Sequence, residues 1–103
     1  MWAQLIRTKL KAGQEDALNG LMQQFQAAEE PGSGLIRSIA MRDQNDPTAV
    51  YMLVLFESEE LARARESAPD REERLAGARA MMAEIFDAPP EFVDLHVDAE
   101  YAP

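Results

Sequence analysis

Cysteine is absent from this 103-residue sequence. Disulfide bonds, zinc–thiolate sites, iron–sulfur clusters and cysteine nucleophiles are therefore excluded within the chain. The single histidine, His96, cannot form a multi-histidine metal site alone. No run of about 20 apolar residues is present that could span a membrane, and the first apolar stretch is too short and interrupted for a signal peptide. We therefore expect a protein of the reducing cytoplasm that has no metal site and no membrane partner.

Positive charge is also scarce. Nineteen acidic residues outnumber ten basic ones, which gives a formal net charge of −9. This balance argues against nucleic acid and anionic lipid headgroups as partners. A chain of this length buries roughly 65% of its unfolded surface, which is enough for one core. We expect residues 1–103 to form a single domain.

Strand and helix periodicities alternate along the chain. Alternating or short apolar runs bounded by turn residues predict four strands. They are residues 1–10, 35–42, 49–57 and 92–98. Turn residues between the second and third strands predict a hairpin. Helical spacing of apolar side chains fills the two remaining gaps.

The two helical regions have recognisable ends. The first is predicted from Gln14 to Ala28, before the Pro-Gly-Ser-Gly turn. The second begins with Ser58 as its N-cap, is interrupted at Pro69 and restarts with Asp70 as a second cap. The order β-α-β-β-α-β predicts an α+β, ferredoxin-like fold, a four-stranded antiparallel sheet with its helices on one face.

The third predicted strand is apolar on both of its faces. Two helices can cover only one face of the sheet, so the other face would leave an exposed apolar patch. We expect the same face of a second copy to cover it in a homodimer. The alternative is a central strand over which neighbouring side chains fold.

Short motifs mark the boundaries of the predicted elements. They are Lys-Ala-Gly-Gln-Glu-Asp at 11–16, Gly34, Asp-x-x-Asp-Pro at 43–47, Leu-Phe-Glu-Ser-Glu-Glu-Leu at 55–61 and Ser-Ala-Pro at 67–69. In this arrangement, over nearly the whole chain, the sequence resembles the antibiotic biosynthesis monooxygenase family of dimeric α/β-barrel proteins. The resemblance implies two ferredoxin-like subunits joined sheet to sheet, with a ligand pocket between the sheet and the helices of each.

The resemblance also implies a function. Some family members are cofactor-free oxygenases that act on polycyclic phenols and quinones, so we expect a cofactor-independent monooxygenase for a small aromatic or quinone-type substrate. The alternative is a non-catalytic ligand-binding or interaction module on the same scaffold. Heme-degrading relatives carry a histidine in the second helical region, where residues 59–87 have none, and an asparagine at the position of Ile6. Many members also have a tryptophan where this chain has Phe56. The resemblance therefore implies neither heme nor another cofactor.

Six side chains are candidates for the substrate pocket, although no motif identifies a catalytic residue. They are Trp2, Gln4, Phe25, Arg37, Met82 and Phe86. The register of the family turns Trp2 and Gln4 towards the helices; alternatively, Trp2 caps the core and Gln4 contacts water. Met82 either adapts to a ligand or is plain core. Arg37 either holds a phenolate or carboxylate, or pairs with a carboxylate across the dimer.

His96 lies between Asp94 and Asp98 on the polar side of the last predicted strand. Flanking carboxylates favour the cationic form of a histidine, which makes an acid–base role conceivable. Side chains at alternate positions of one strand point in parallel, however, and rarely converge on a metal ion. A solvated strand face or a dimer contact is the interpretation that we favour.

Overall fold

Four strands form one antiparallel sheet in the computed structural model, which describes residues 1–103. The strands are β1 (Trp2–Lys9), β2 (Leu35–Arg42), β3 (Ala49–Phe56) and β4 (Glu91–His96). They lie in the order β2-β3-β1-β4, with β2 and β3 forming the predicted hairpin. The predicted α+β, ferredoxin-like fold is confirmed.

Four helices pack on one face of this sheet. They are α1 (Leu18–Ala28), α2 (Glu59–Glu66), α3 (Arg71–Arg74) and α4 (Ala76–Ile85). The helix predicted from Gln14 begins instead as a 3-10 turn at Glu15–Ala17, which leads directly into α1. None of the helices has the length and apolar content needed to cross a bilayer.

The predicted N-caps have different outcomes. The Ser58 hydroxyl oxygen accepts a hydrogen bond from the backbone N–H of Leu61 at 3.2 Å, so the predicted cap of α2 is confirmed. Asp70 precedes α3, but its side chain caps no backbone N–H. Its carboxylate instead accepts from the Arg74 guanidinium at 3.1 Å, so the prediction of a second cap was wrong.

The sheet and the helices enclose two apolar clusters. Leu21, Val50, Met52, Leu75 and Ile85 belong to the larger one and are at most 5% exposed. The smaller cluster joins Trp2, Phe56 and Ala62 near the start of α2. The side chain of Trp2 therefore faces the helices, as predicted for this side of β1. At about 25 cal/mol per Å² of buried apolar surface, these clusters supply most of the stabilisation of the fold.

A β-bulge divides β2 into two parts that present different faces. Leu35 pairs with Phe56, and Arg37 pairs with Leu55, so Ile36 is an extra residue in the ladder. Leu35 packs against the smaller apolar cluster on the helix side. From Arg37 onwards, the odd-numbered side chains point to the opposite face of the sheet, because each pairs with a residue of β3 on that face.

The face of the sheet away from the helices, which we call the outer face, is apolar. The ladder register places on it Ala3, Leu5, Ile39, Met41, Tyr51, Leu53, Leu55, Val93 and Leu95. Several of these side chains are substantially exposed, including Met41 at 41% and Ile39 at 38%. Charged groups occur only towards the ends of this face, where Arg7 and Glu91 form an ion pair at 3.2 Å.

Gly34 brings the start of β2 against α2. Its φ angle is +86°, a conformation that residues with a side chain rarely adopt, and its carbonyl accepts from the Glu57 N–H at 2.9 Å. A Cβ atom at this position would lie 2.7 Å from the Cβ of Leu61. Glycine is therefore required here by both conformation and space.

Candidate functional site

A cleft of about 920 Å³ lies between the helices and the helix-facing side of the sheet. Its size falls within the range of small-molecule sites, roughly 300–1,000 Å³. Side chains from all four strands and all four helices contribute to its walls. Its apolar lining includes Ile6, Met22, Phe25, Leu75, Met82 and Phe92. The cleft therefore offers apolar contacts on several sides to a planar organic molecule.

Four of the six candidate residues line this cleft. They are Gln4, Phe25, Arg37 and Met82. Arg37 borders it at the edge strand β2, immediately after the bulge, although its pairing with Leu55 turns its side chain towards the outer face. The structure thus brings the side chains of Gln4, Phe25 and Met82 around one space and leaves Arg37 at its edge. The role of all four in binding a substrate stays a prediction.

The other two candidates, Trp2 and Phe86, do not line the cleft. Trp2 is only 4% exposed and lies with its ring centroid 5.9 Å from that of Phe56, so it caps the smaller apolar cluster, as the alternative interpretation had it. Phe86 is 9% exposed and lies in the larger cluster, where its backbone forms a bridge with Leu10. Both rings are occupied by core packing, which explains why neither lines the cleft.

A polar network at one wall of the cleft was missed from the sequence. The side-chain amide of Gln4 donates to Asp94 at 3.0 Å, and Arg63 donates to the other oxygen of Asp94 at 2.8 Å. The hydrogen bond from Gln4, followed by that from Arg63, lowers the pKa of Asp94. Asp94 is therefore a stable anion that ties β4 to β1 and α2.

The polar side of β4 faces the helices rather than the outer face. Asp94 pairs with Gln4, and His96 pairs with Trp2, both on the helix side of β1. His96 does not line the cleft. The chain places no group of three or more His, Asp or Glu side chains where they could hold a metal ion.

A second ion pair joins α1 to α2 at the cleft. Arg65 donates to both carboxylate oxygens of Glu29, at 2.9 and 2.6 Å, and its guanidinium lies 5.4 Å from the ring centroid of Phe56. Burial alone would raise the pKa of Glu29. Hydrogen bonds from Arg65 and Ser33, together with the positive charge of Arg65 and Arg71, outweigh burial and lower this pKa.

Arginine is concentrated in this cleft. Five of the eight arginines in the chain line it, together with four carboxylates. The five are Arg37, Arg63, Arg65, Arg71 and Arg79. Three of them are paired, since Arg79 binds Glu72 at 3.0 Å in addition to the two pairs above. Arg37 and Arg71 make no ion pair or side-chain hydrogen bond. Because the register turns Arg37 towards the outer face, Arg71 is the unpaired arginine within the cleft, in a protein whose net charge is −9.

Three carboxylates that line the cleft are poor proton acceptors. Besides Asp94 and Glu29, Glu72 has a lowered pKa, chiefly because Arg79 donates a hydrogen bond to it. A lowered pKa keeps these groups ionised at neutral pH and weakens them as bases. The site is thus better suited to stabilise negative charge on a ligand than to abstract a proton from it.

Comparison with solved structures gives a consistent result. A Nitrosomonas europaea protein named among the antibiotic biosynthesis monooxygenases is 17% identical and superposes with a TM-score of 0.73, over 96% of this chain and 100% of its own. The chain has the fold of these proteins. The resemblance to the antibiotic biosynthesis monooxygenases is thereby confirmed for the fold.

Two further structures with this fold have different descriptions. SnoaB from Streptomyces nogalater, a cofactor-independent oxygenase whose structure is that of a mutant, is 10% identical with a TM-score of 0.73 over 96% of this chain and 94% of its own. A protein of unknown function from Nitrosomonas europaea is 22% identical, also with a TM-score of 0.73, over 99% and 93% of the two chains. No family model and no curated protein matches the sequence.

Proposed function

We propose that this protein binds a small aromatic or quinone-type molecule in the cleft and oxygenates it without a bound cofactor. The observation that carries the proposal is the cleft itself: a space of about 920 Å³ between sheet and helices, with apolar side chains and several arginines in its walls, in a chain with the fold of a cofactor-independent oxygenase. Apolar walls of this kind exclude water and orient a flat ring system.

In this reaction the substrate supplies all the electrons. A deprotonated, electron-rich ring carbon reacts with dioxygen, one oxygen atom ends as a ring carbonyl and the other leaves as water. For an anthrone, the methylene carbon loses its two hydrogens to that water and becomes the second carbonyl of an anthraquinone. The protein's contribution is to desolvate the substrate and to stabilise its anion, for which Gln4 and Arg37 are the candidates predicted from the sequence.

Oxygen consumption tests this proposal directly. The protein is mixed with a panel of hydroquinones and anthrone-like phenols, and dioxygen uptake is followed with an electrode against a heat-denatured control. We expect uptake above the control for at least one compound, and incorporation of one atom from ¹⁸O₂ into the product. No uptake above the denatured control across the panel would refute the oxygenase proposal.

A second candidate function is ligand binding without catalysis. It is favoured by the lowered pKa values of Glu29, Glu72 and Asp94, since none of these carboxylates is suited to deprotonate a phenol at neutral pH. Calorimetry with the same compounds separates the two functions. Binding together with oxygen uptake supports the oxygenase, and binding without uptake supports the non-catalytic module.

We also propose that two copies associate through the outer face of the sheet. Nine apolar side chains form its centre, while the charged groups Arg7 and Glu91 lie at one end and Arg37 at the other. A stable interface needs roughly 800 Å² from each partner, with an apolar centre and a polar rim. The outer face has this arrangement, and a two-fold axis lets its apolar centre meet its own copy without placing like charges in the middle.

The oligomeric state tests the proposed dimer. Leu53→Asp introduces a charge at the centre of the outer face, and Tyr101→Asp makes the same chemical change at a side chain that is 96% exposed near the C-terminus. Light scattering coupled to size-exclusion chromatography should give a dimer for the wild type and Tyr101→Asp, and a monomer for Leu53→Asp. A monomeric wild type at tens of micromolar would refute the dimer.

A further inference from the structure

Arg71 differs from every other arginine of the chain in its surroundings. Five arginines form ion pairs, which are Arg7, Arg63, Arg65, Arg74 and Arg79. Of the three without a partner, Arg37 and Arg42 are exposed, whereas Arg71 is partly buried at the start of α3 and lines the cleft.

The charges around Arg71 do not neutralise it. Burial lowers the pKa of its guanidinium, as do the positive charges of Arg65 and Arg79, and together they outweigh the negative charges of Glu29 and Glu66, which raise it. The nearby carboxylates are already engaged, since Glu29 accepts both hydrogen bonds from Arg65, and Glu66 pairs with Arg63 at 3.5 Å. A guanidinium does not lose its proton in a protein, so this charge persists without a partner.

An unpaired, partly desolvated guanidinium gains free energy when a ligand supplies the missing anion. Arginine presents planar donors that match two lone pairs of an oxyanion, and such charge-assisted hydrogen bonds are stronger than neutral ones. Apolar side chains line the same cleft, including Leu75, one turn further along the chain, and Phe25 on α1. The ligand that complements these groups is therefore a ring system that carries a negatively charged oxygen.

We propose that the cleft selects aromatic or quinoid molecules bearing a ring oxyanion, a phenolate or an enolate, and that Arg71 holds this oxygen. The inference rests on the proposed ligand-binding function of the cleft and specifies its substrate class. A positive charge beside the bound hydroxyl also favours its deprotonated form. Arg71 thereby assists formation of the anion in a site where Glu29, Glu72 and Asp94 are weak bases.

A matched pair of ligands tests this selectivity. 2-Hydroxy-1,4-naphthoquinone is an anion at neutral pH, and 2-methoxy-1,4-naphthoquinone has nearly the same shape without the charge. The chain has no thiol with which either quinone could react. Isothermal titration calorimetry of the full chain should give a dissociation constant about 10-fold lower for the hydroxy compound, because a hydrogen bond to a charged group contributes about that factor.

The variants assign the preference to one side chain. Arg71→Gln should bring the two dissociation constants together, and Arg71→Lys should retain part of the difference. Arg42→Gln removes another unpaired arginine, outside the cleft, and should leave the difference unchanged. Circular dichroism establishes that each variant is folded. If Arg71→Gln does not fold, the preference of the wild type for the hydroxy compound must still shrink as sodium chloride is raised.

The outcomes separate this inference from the function on which it rests. Equal affinity of the wild type for both compounds, or an unchanged preference in Arg71→Gln, overturns the role of Arg71 and leaves the cleft as a binding site. If neither compound binds, the anion selectivity is overturned, and the result also weighs against the proposed function of the cleft. Uptake of oxygen with another substrate would then support the oxygenase function without the anion selectivity.

Discussion

Replacement of Gly34 by alanine should destabilise the protein far more than the same change at other turn glycines. Two separate costs arise at this position. The φ angle of +86° disfavours any residue with a Cβ by about 1–2 kcal/mol. The new methyl group would also lie 2.7 Å from the Cβ and 2.9 Å from the Cδ1 of Leu61. The Cβ of Leu61 cannot rotate away, so α2 has to shift, and overpacking of this kind costs about 1–3 kcal/mol more.

Gly32 provides a matched control within the same turn. Its φ angle is +79°, close to that of Gly34, but a Cβ there would meet nothing within 4 Å. Gly32→Ala therefore carries only the conformational cost. The difference between the two variants isolates the steric cost of the close approach of Gly34 to α2, which we expect to be about 1–3 kcal/mol in the free energy of unfolding.

Urea denaturation measures this difference. The only tryptophan, Trp2, is 4% exposed and lies in the cluster that includes Ala62 of α2, so its fluorescence reports on the affected region. In thermal unfolding of the same variants, each kcal/mol of difference in the free energy of unfolding corresponds to about 4–8 °C in Tm for a domain of about this size. Equal destabilisation by Gly34→Ala and Gly32→Ala would refute the argument that α2 limits the space at Gly34.

Two further predictions concern the ion pair and the core. Glu29→Gln should lower the free energy of unfolding by about 1–2 kcal/mol at pH 7, because its pair with Arg65 is largely but not fully buried. Because the pKa of Glu29 is lowered in the folded protein, the difference in the free energy of unfolding between Glu29→Gln and the wild type should persist above the ordinary pKa of 4.5 and vanish as the pH falls through the folded pKa. Urea titrations at pH 3–7 would measure this dependence. A difference that does not change with pH would contradict the assignment. Leu21→Ala removes a side chain that is 0% exposed and should cost about 2–5 kcal/mol with an unchanged urea m value, whereas a loss under about 1 kcal/mol would show that the core closes over the cavity.

The spacing of apolar residues predicted most of the fold, because along this chain it follows the strand and helix repeats closely. The alternation in β1 predicted the side that faces the helices, and Ser58 predicted the start of α2. The bulge at Ile36 could not be predicted this way. From the sequence alone, the alternation predicts that the side chains of residues 35, 37, 39 and 41 share one face of the strand. The extra residue instead sends Leu35 to the helix side and the other three to the outer face. Only the pairing with β3 reveals the change.

The charged wall of the cleft was not predictable from the sequence for a different reason. A charge on a helix is usually solvated, and Arg63, Arg65 and Arg71 look like ordinary members of the charged segment after β3. Their position over the cleft depends on the packing of α2 and α3 against the sheet. The Arg-x-Arg spacing at residues 63–65 places the two cations about 200° apart around one helix, so no local pattern predicts that both line one cleft.

The bulge in β2 also bears on how copies of the chain meet. As an edge strand, β2 presents unpaired backbone N–H and C=O groups along which another sheet edge can add, and repeated addition leads to open-ended fibrils. The extra residue at Ile36 breaks the regular spacing of those groups near one end of the strand. Association along the edge is thereby discouraged, whereas the proposed association through the broad apolar face would stop at two partners. One added residue would thus favour the proposed closed dimer over open-ended aggregation.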